Sequence, residues 1–523
     1  MAMKRSVLAA VAALSLLAAA PANAQTLKWA APGDAVSFDP NAQLDSFTQN
    51  IQSMVYDTLV RRNRQLQIEP SLATSWEIVA PDRWRFKLRQ GVKFHDGQPF
   101  TADDVVATVM RTIDPGSRNK GNLATVKTAE KVDDQTVDFV LTGPYPLLLN
   151  DLTGIFVMSK PWMIQHDSIK PGNTSTGVTT FASTHANGTG PFKLESYEPD
   201  ARTVMSANEG WWDKPEHNIK RLEFRPIKSD ATRVAALLSG EIDMIAAVPL
   251  QDIPRVSSTA GVKVVEDPSL RLIFLGFNWK PELQGQPGVK NPLLDVKVRQ
   301  ALWQSLDMDT LQKRIMRGKS RNIATMVAPP VPGYSAEADK PIGYDPAAAK
   351  KLLADAGYPN GFKTGLACPN DRYIADEQLC LAIASMWTRV GVQVDLKTES
   401  KATYFPRQDR GETDIWMLGW ATLPPMDGFS VLSAIFASRK DGFGGANANG
   451  MSIPAMDELA KKAAVELDEP KRRAMLAESF KIARDQALFI PLHLQPLAWA
   501  MKTNVDMPQF ADEYVRPWFA KVN

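Results

Sequence analysis

Two hydrophobic periods alternate along this chain. Between Arg83 and Arg89, Trp84, Phe86 and Leu88 alternate with Arg83, Arg85, Lys87 and Arg89. A period of two describes a half-buried strand. The basic stripe is an ordinary solvated sheet face or, less simply, an anion site. After Thr101 the period changes. Val105, Val106, Val109, Met110 and Ile113 recur at helical spacing, with Thr101 as N-cap and Asp104 three residues on. Ile51, Met54, Val55 and Leu59 predict a helix over about 47–60, preceded by the short strand Leu27–Ala30. A helix over 229–238 should stop at Gly240 and lead into a strand over 242–246.

The second half repeats the alternation. Asp295 caps a helix with Val298, Leu302 and Leu306 on one face. Asp345-Pro346 opens another that ends at Gly357. A helix over about 374–390 buries Leu379, Ile383 and Met386, stops at Gly391, and is followed by the strand VQVDL. With a further helix and the strand DIWML, this argues a right-handed βαβ arrangement. Helices over about 454–466 and 470–486 and a strand over 488–494 complete the pattern. The 523 residues are too many for one compact core, so two or three domains are expected.

The N-terminus differs from the rest. Lys4 and Arg5 precede the apolar run Val7–Ala20, then Pro21 and the small-x-small site Ala22-Asn23-Ala24. That is a secretory signal with a cut before Gln25. The run is too short to span a bilayer, and no cysteine follows the cut to carry a lipid. Loss of Lys4 and Arg5 leaves the remaining basic residues in balance with the 58 acidic ones. A chain without net charge gives no footprint for nucleic acid or an anionic membrane.

The five histidines, at 95, 166, 185, 217 and 493, show no metal-ligand spacing. There is no GxSxG elbow and no glycine-rich phosphate loop, so no cofactor is expected and an exported hydrolase is the remote reading. Cys368 and Cys380 are the only cysteines. In an exported protein such a pair points to a disulfide. The bridge would enclose the polar loop carrying Asp371, Arg372 and Tyr373. The other loop of interest closes DIWMLGWATLPPMDGF, where an apolar strand runs out at Gly419-Trp420. In α/β sheets, loops at the carboxyl ends of strands form clefts. Trp211 and Trp212 are candidates for the same cleft, although packing against a sheet is their plainer role.

EPSLATSWEI and RWRFKLRQGVKFHDGQPFTADDVVATVMR resemble the family 5 extracellular solute-binding proteins, the peptide- and nickel-binding components of bacterial ABC importers. NGTGPFKLESYEP, ANEGWWDKP, LLSGEIDMI, LLDVKVRQAL and GYDPAAAKKLLADAGYPNGF extend the resemblance in order. It implies an α/β periplasmic-binding-protein type II fold, two lobes with a hinge and an inserted domain. Lobe I would be 25–71, 188–279 and 490–523; the insertion 72–187; lobe III 280–489. It further implies a periplasmic monomer that captures a small solute and passes it to a membrane permease driven by an ATPase. The solute would be a peptide or peptide-like compound or, alternatively, a non-peptide organic anion or metal chelate.

The resemblance also nominates site residues. Gly419-Trp420 matches a cleft pair, making Trp420 a pocket wall. Peptide-binding relatives carry G-W-x-x-D, whose aspartate meets the ligand's ammonium; here that slot holds Leu423, with Asp427 four residues on as a substitute. Arg372 lies near a carboxylate-binding arginine. Leu423 cannot accept a hydrogen bond, so unmodified dipeptides should bind weakly, and the natural ligand should have no primary ammonium at that spot.

Overall fold

The computed structural model describes residues 25–423 and 425–523; the expected signal segment lies outside them. The molecule is organised on one long mixed sheet. Two strands, Val262–Phe277 and Ile490–Lys502, run antiparallel at its centre and belong to both halves. On one side Ile490–Lys502 is followed in order by Met244–Ala246, Thr26–Ala31, Arg221–Pro226, Arg202–Ala207 and Phe192–Glu198. On the other, Val262–Phe277 is followed by Ile415–Trp420, Lys363–Pro369 and Gln393–Glu399. Lys363–Pro369 pairs in parallel with both of its neighbours, with the helix Asp376–Arg389 as one crossover. The βαβ pattern is therefore present.

The central pair is broken where the halves meet. Its register shifts between Pro268 and Leu272, with Pro268 opposite Pro496. Proline has no N–H to give to a ladder, so two facing prolines interrupt the pairing. Ser269, Leu270 and Arg271 bulge out there. Among the described residues, only these two strands carry the sheet from one lobe to the other.

A separate antiparallel sheet holds Ala73–Ala80, Arg83–Leu88, Thr136–Leu141 and Val126–Asp133. The helix Ala102–Thr112 lies against it, its Asp104 taking the Thr101 N–H at 2.9 Å. The basic stripe is used internally: Arg85 grips Asp138 at 2.7 and 2.9 Å, and Arg83 reaches Glu130 at 2.8 Å. This sheet has its own core, running from Leu59 to Val157. Trp162, Met163 and Ala182 pack instead with Leu27 and Trp29 of lobe I.

Two elements differ from expectation. The helix expected over 47–60 is Ser46–Gln52 only. Beyond it, the carbonyls of Met54 and Val55 accept N–H groups from Phe192 and Gly190, each at 2.9 Å, so they leave the helix ladder. A Cβ on Gly188 would sit 2.0 Å from the Val55 carbonyl oxygen, so this crossing requires glycine. The late strand is Ile490–Lys502, longer than 488–494. Pro491 and Pro496 hid its extent in the sequence.

Candidate functional site

A cavity of about 420 Å³ lies between the lobes. Its lobe III wall starts with the disulfide. Cys368 at the end of a strand is joined to Cys380 in the helix Asp376–Arg389. The loop between them is tied down by Asp376, whose Oδ2 accepts the Arg372 and Tyr373 N–H groups at 3.0 and 2.9 Å. Tyr373 is buried behind the wall and lies against Gly419; a Cβ there would approach Tyr373 Cε1 to 2.4 Å. This packing holds Arg372 outward, its guanidinium 5.1 Å over the Tyr373 ring. Arg372, Gly419, Trp420, Ala421 and Leu423 line the cavity.

Not every nominated residue reaches it. Asp371 is exposed and accepts the Lys401 N–H at 2.6 Å. Tyr373 supports the wall without forming it. Asp427 requires a correction, because it is not at the cleft. It is buried, and its two oxygens take Arg472 at 2.7 and 2.8 Å. Arg472, on the helix Glu469–Asp485, is buried too and needs a carboxylate. The Phe429 N–H adds a third contact to Asp427, at 2.8 Å.

Other lining residues were not nominated from the sequence. Asp57, Arg61 and Arg62 form part of the wall beside the nominated Trp211, and Arg271 enters from the hinge bulge. Trp211 thus faces the cavity, whereas Trp212 packs in the core of the inserted sheet, with Arg89 4.3 Å over its ring. The C-terminal segment contributes Asp512, Tyr514, Arg516 and Trp518. Every second residue of DEYVRPW faces inward, an alternation visible in the sequence.

The charges divide by partner. Arg516 is matched by Asp512, at 2.9 and 2.6 Å. Arg61 is matched by Glu69 and Asp213, each at 2.7 Å. Arg62 donates to the Leu66 and Pro425 carbonyls at 3.1 and 3.0 Å, the second across the cleft; burial pulls its pKa down to about 10. Arg271 has Glu513 at 3.7 Å, beyond hydrogen-bond distance, and Arg372 has no carboxylate within ion-pair distance among the described residues. Both Arg271 and Arg372 line the cavity. Asp57 is buried, which raises its pKa, while hydrogen bonds from Trp212, Thr189 and Trp211 oppose that rise. Among the described residues no group of three His, Cys, Asp or Glu side chains is placed to hold a metal ion.

The family model described as bacterial extracellular solute-binding proteins, family 5 Middle, matches residues 67–443. The dipeptide-binding protein of Escherichia coli (strain K12) is 29% identical over 512 residues, covering 91% of this chain and 90% of that one. Heme-binding protein A of Haemophilus influenzae is 28% identical over 508 residues, covering 90% and 88%. The solved structure of HbpA2 from Haemophilus parasuis superposes with a TM-score of 0.82 at 25% identity, over 95% of this chain and 100% of that one.

Proposed function

Because this chain belongs to family 5 of the bacterial extracellular solute-binding proteins, we propose that it captures a small, acidic, peptide-like solute between its lobes and delivers it to the permease of an ABC importer. It acts in the periplasm, after cleavage of its signal, as a monomer. The reading is carried by one observation. Arg271 and Arg372 line the same cavity as Gly419 and Trp420 and have no carboxylate at hydrogen-bond distance among the described residues. Guanidinium is the side chain best shaped to hold a carboxylate in two places, and Trp420 supplies a flat apolar wall beside it. Arg372 stands on lobe III and Arg271 in the hinge, so an anion held by both favours the closed arrangement over the open one.

A second reading, a non-peptide organic anion or metal chelate, is favoured by Leu423. That residue makes the wall apolar where peptide-binding relatives meet an ammonium group, and Asp427 is committed to Arg472. A thermal-shift panel tests both readings. A ligand at one hundred times its dissociation constant stabilises the protein by about 2.7 kcal/mol. Di- and tripeptides, organic acids and metal chelates are compared with their methyl esters or amides. Shifts that vanish when the acid group is blocked support the proposal. Shifts given by neutral or cationic solutes, indifferent to blocking, overturn it.

A further inference from the structure

Asp57 is the one cavity-lining carboxylate with no cation within ion-pair distance among the described residues, and Arg61 acts on it only from farther away. The other, Asp512, is neutralised by Arg516. Arg61, four residues from Asp57, turns instead to Glu69 and Asp213. Asp57 is only 9% exposed, so its charge is poorly solvated. Its two oxygens are used unequally. Oδ2 accepts from Trp212 Nε1 at 2.7 Å, Thr189 Oγ1 at 2.9 Å and Trp211 Nε1 at 3.3 Å. Oδ1 accepts from none of the described residues, and Asp57 lines the cavity. Three donors fix the carboxylate by one oxygen and leave the other available to a partner.

Holding the indoles needs only a carbonyl oxygen, which asparagine would supply. A carboxylate held through one oxygen and poorly solvated at the other is favourably completed by a positive or strongly donating partner. Resting on the anion-binding reading above, we propose that Asp57 is the cation anchor of the cleft, and that the solute is a zwitterion. Its acid end lies at Arg271 and Arg372, and its ammonium end lies against Asp57 on the lobe I wall. This ammonium site is separate from the Leu423 slot of lobe III, so it replaces the expectation, drawn from Leu423 alone, that unmodified dipeptides bind weakly. A ligand anchored so joins lobe I to lobe III by its own two charges, and solutes with only one of them bind less tightly.

The test uses the full mature protein, with di- and tripeptides whose amine is either free or N-acetylated, by calorimetry. Wild type should prefer free-amine members by roughly tenfold or more, the scale of a charge-assisted contact. Asp57→Asn keeps an acceptor for the indoles and should erase that preference, so that free-amine and acetylated members bind alike. Arg372→Ala should weaken both sets alike. A free-amine preference that survives Asp57→Asn overturns the proposal. So does equal affinity of wild type for free and acetylated members, a result that decides the matter even if the variant does not fold. Binding of amine-free acids alone overturns the Asp57 assignment and leaves the anion reading standing. Failure of every acidic member to bind overturns both.

Discussion

Asp427 is half of a buried ion pair and not a lining residue of the cavity, and one substitution tests that role against the ligand anchor expected from the sequence. Its side chain is 3% exposed and that of Arg472 is 5%. In Asp427→Ala the guanidinium loses two charge-assisted hydrogen bonds but keeps its Nε contact to the Ala463 carbonyl at 3.1 Å. An uncompensated buried charge typically costs about 3–5 kcal/mol. Asp427 also takes the Phe429 N–H, so the turn after the Trp420 strand loosens with it. Urea denaturation of the ligand-free protein should show the lobe III transition moved to lower urea by that amount. The double variant Asp427→Leu with Arg472→Met should recover most of the loss, because no charge is left buried. The reasoning is refuted if Asp427→Ala costs less than about 1 kcal/mol yet abolishes solute binding, the behaviour of a ligand anchor.

Denaturation without reductant, followed by a thiol alkylator, should add no label, since Cys368 and Cys380 are joined; two labels would mean free thiols. For their sequence separation of 12, replacing both by serine should cost about 3 kcal/mol in unfolded-chain entropy. Arg372→Ala should weaken acidic solutes by about 1.5–3 kcal/mol without unfolding the protein, and unchanged affinity in both Arg372→Ala and Trp420→Ala would remove these residues from the site. Asp151, which accepts from the Tyr145 hydroxyl at 2.6 Å, has its pKa pushed up to about 7, chiefly by burial. Its protonated form is the one the fold favours, so its contribution is complete below about pH 4 and declines as pH rises through 7. The stability difference between wild type and Asp151→Asn should therefore change across that window and be flat outside it; a difference that does not vary with pH refutes the assignment.

Local chemistry made much of the fold readable. Thr101 with Asp104, and Asp345 with Pro346, mark helix starts within a few residues, and the structure places helices at Ala102–Thr112 and Pro346–Asp355. Long-range partners were not readable. Gly190 and Phe192 end the helix at Gln52 from more than a hundred positions away. Pro268 facing Pro496 sets the break between lobes, and neither proline announces it alone. The site divides the same way. Arg372, Trp420 and Leu423 sit in recognisable loops and line the cavity. Asp427 was misassigned because Arg472, 45 residues on, has no local signature. Asp57 gave no signal, since its environment comes from Thr189, Trp211 and Trp212. The alternating Asp512, Tyr514, Arg516 and Trp518 were legible in principle.

Capture of an acidic solute at Arg271 and Arg372 is tested most directly by native mass spectrometry of protein isolated under native conditions from the cells that make it. The wild type should carry a small molecule of defined mass with at least one acid group, and an Arg271→Ala, Arg372→Ala double variant of unchanged melting temperature should arrive empty. Equal occupancy in the two proteins, or a ligand with no acid group, would contradict the account.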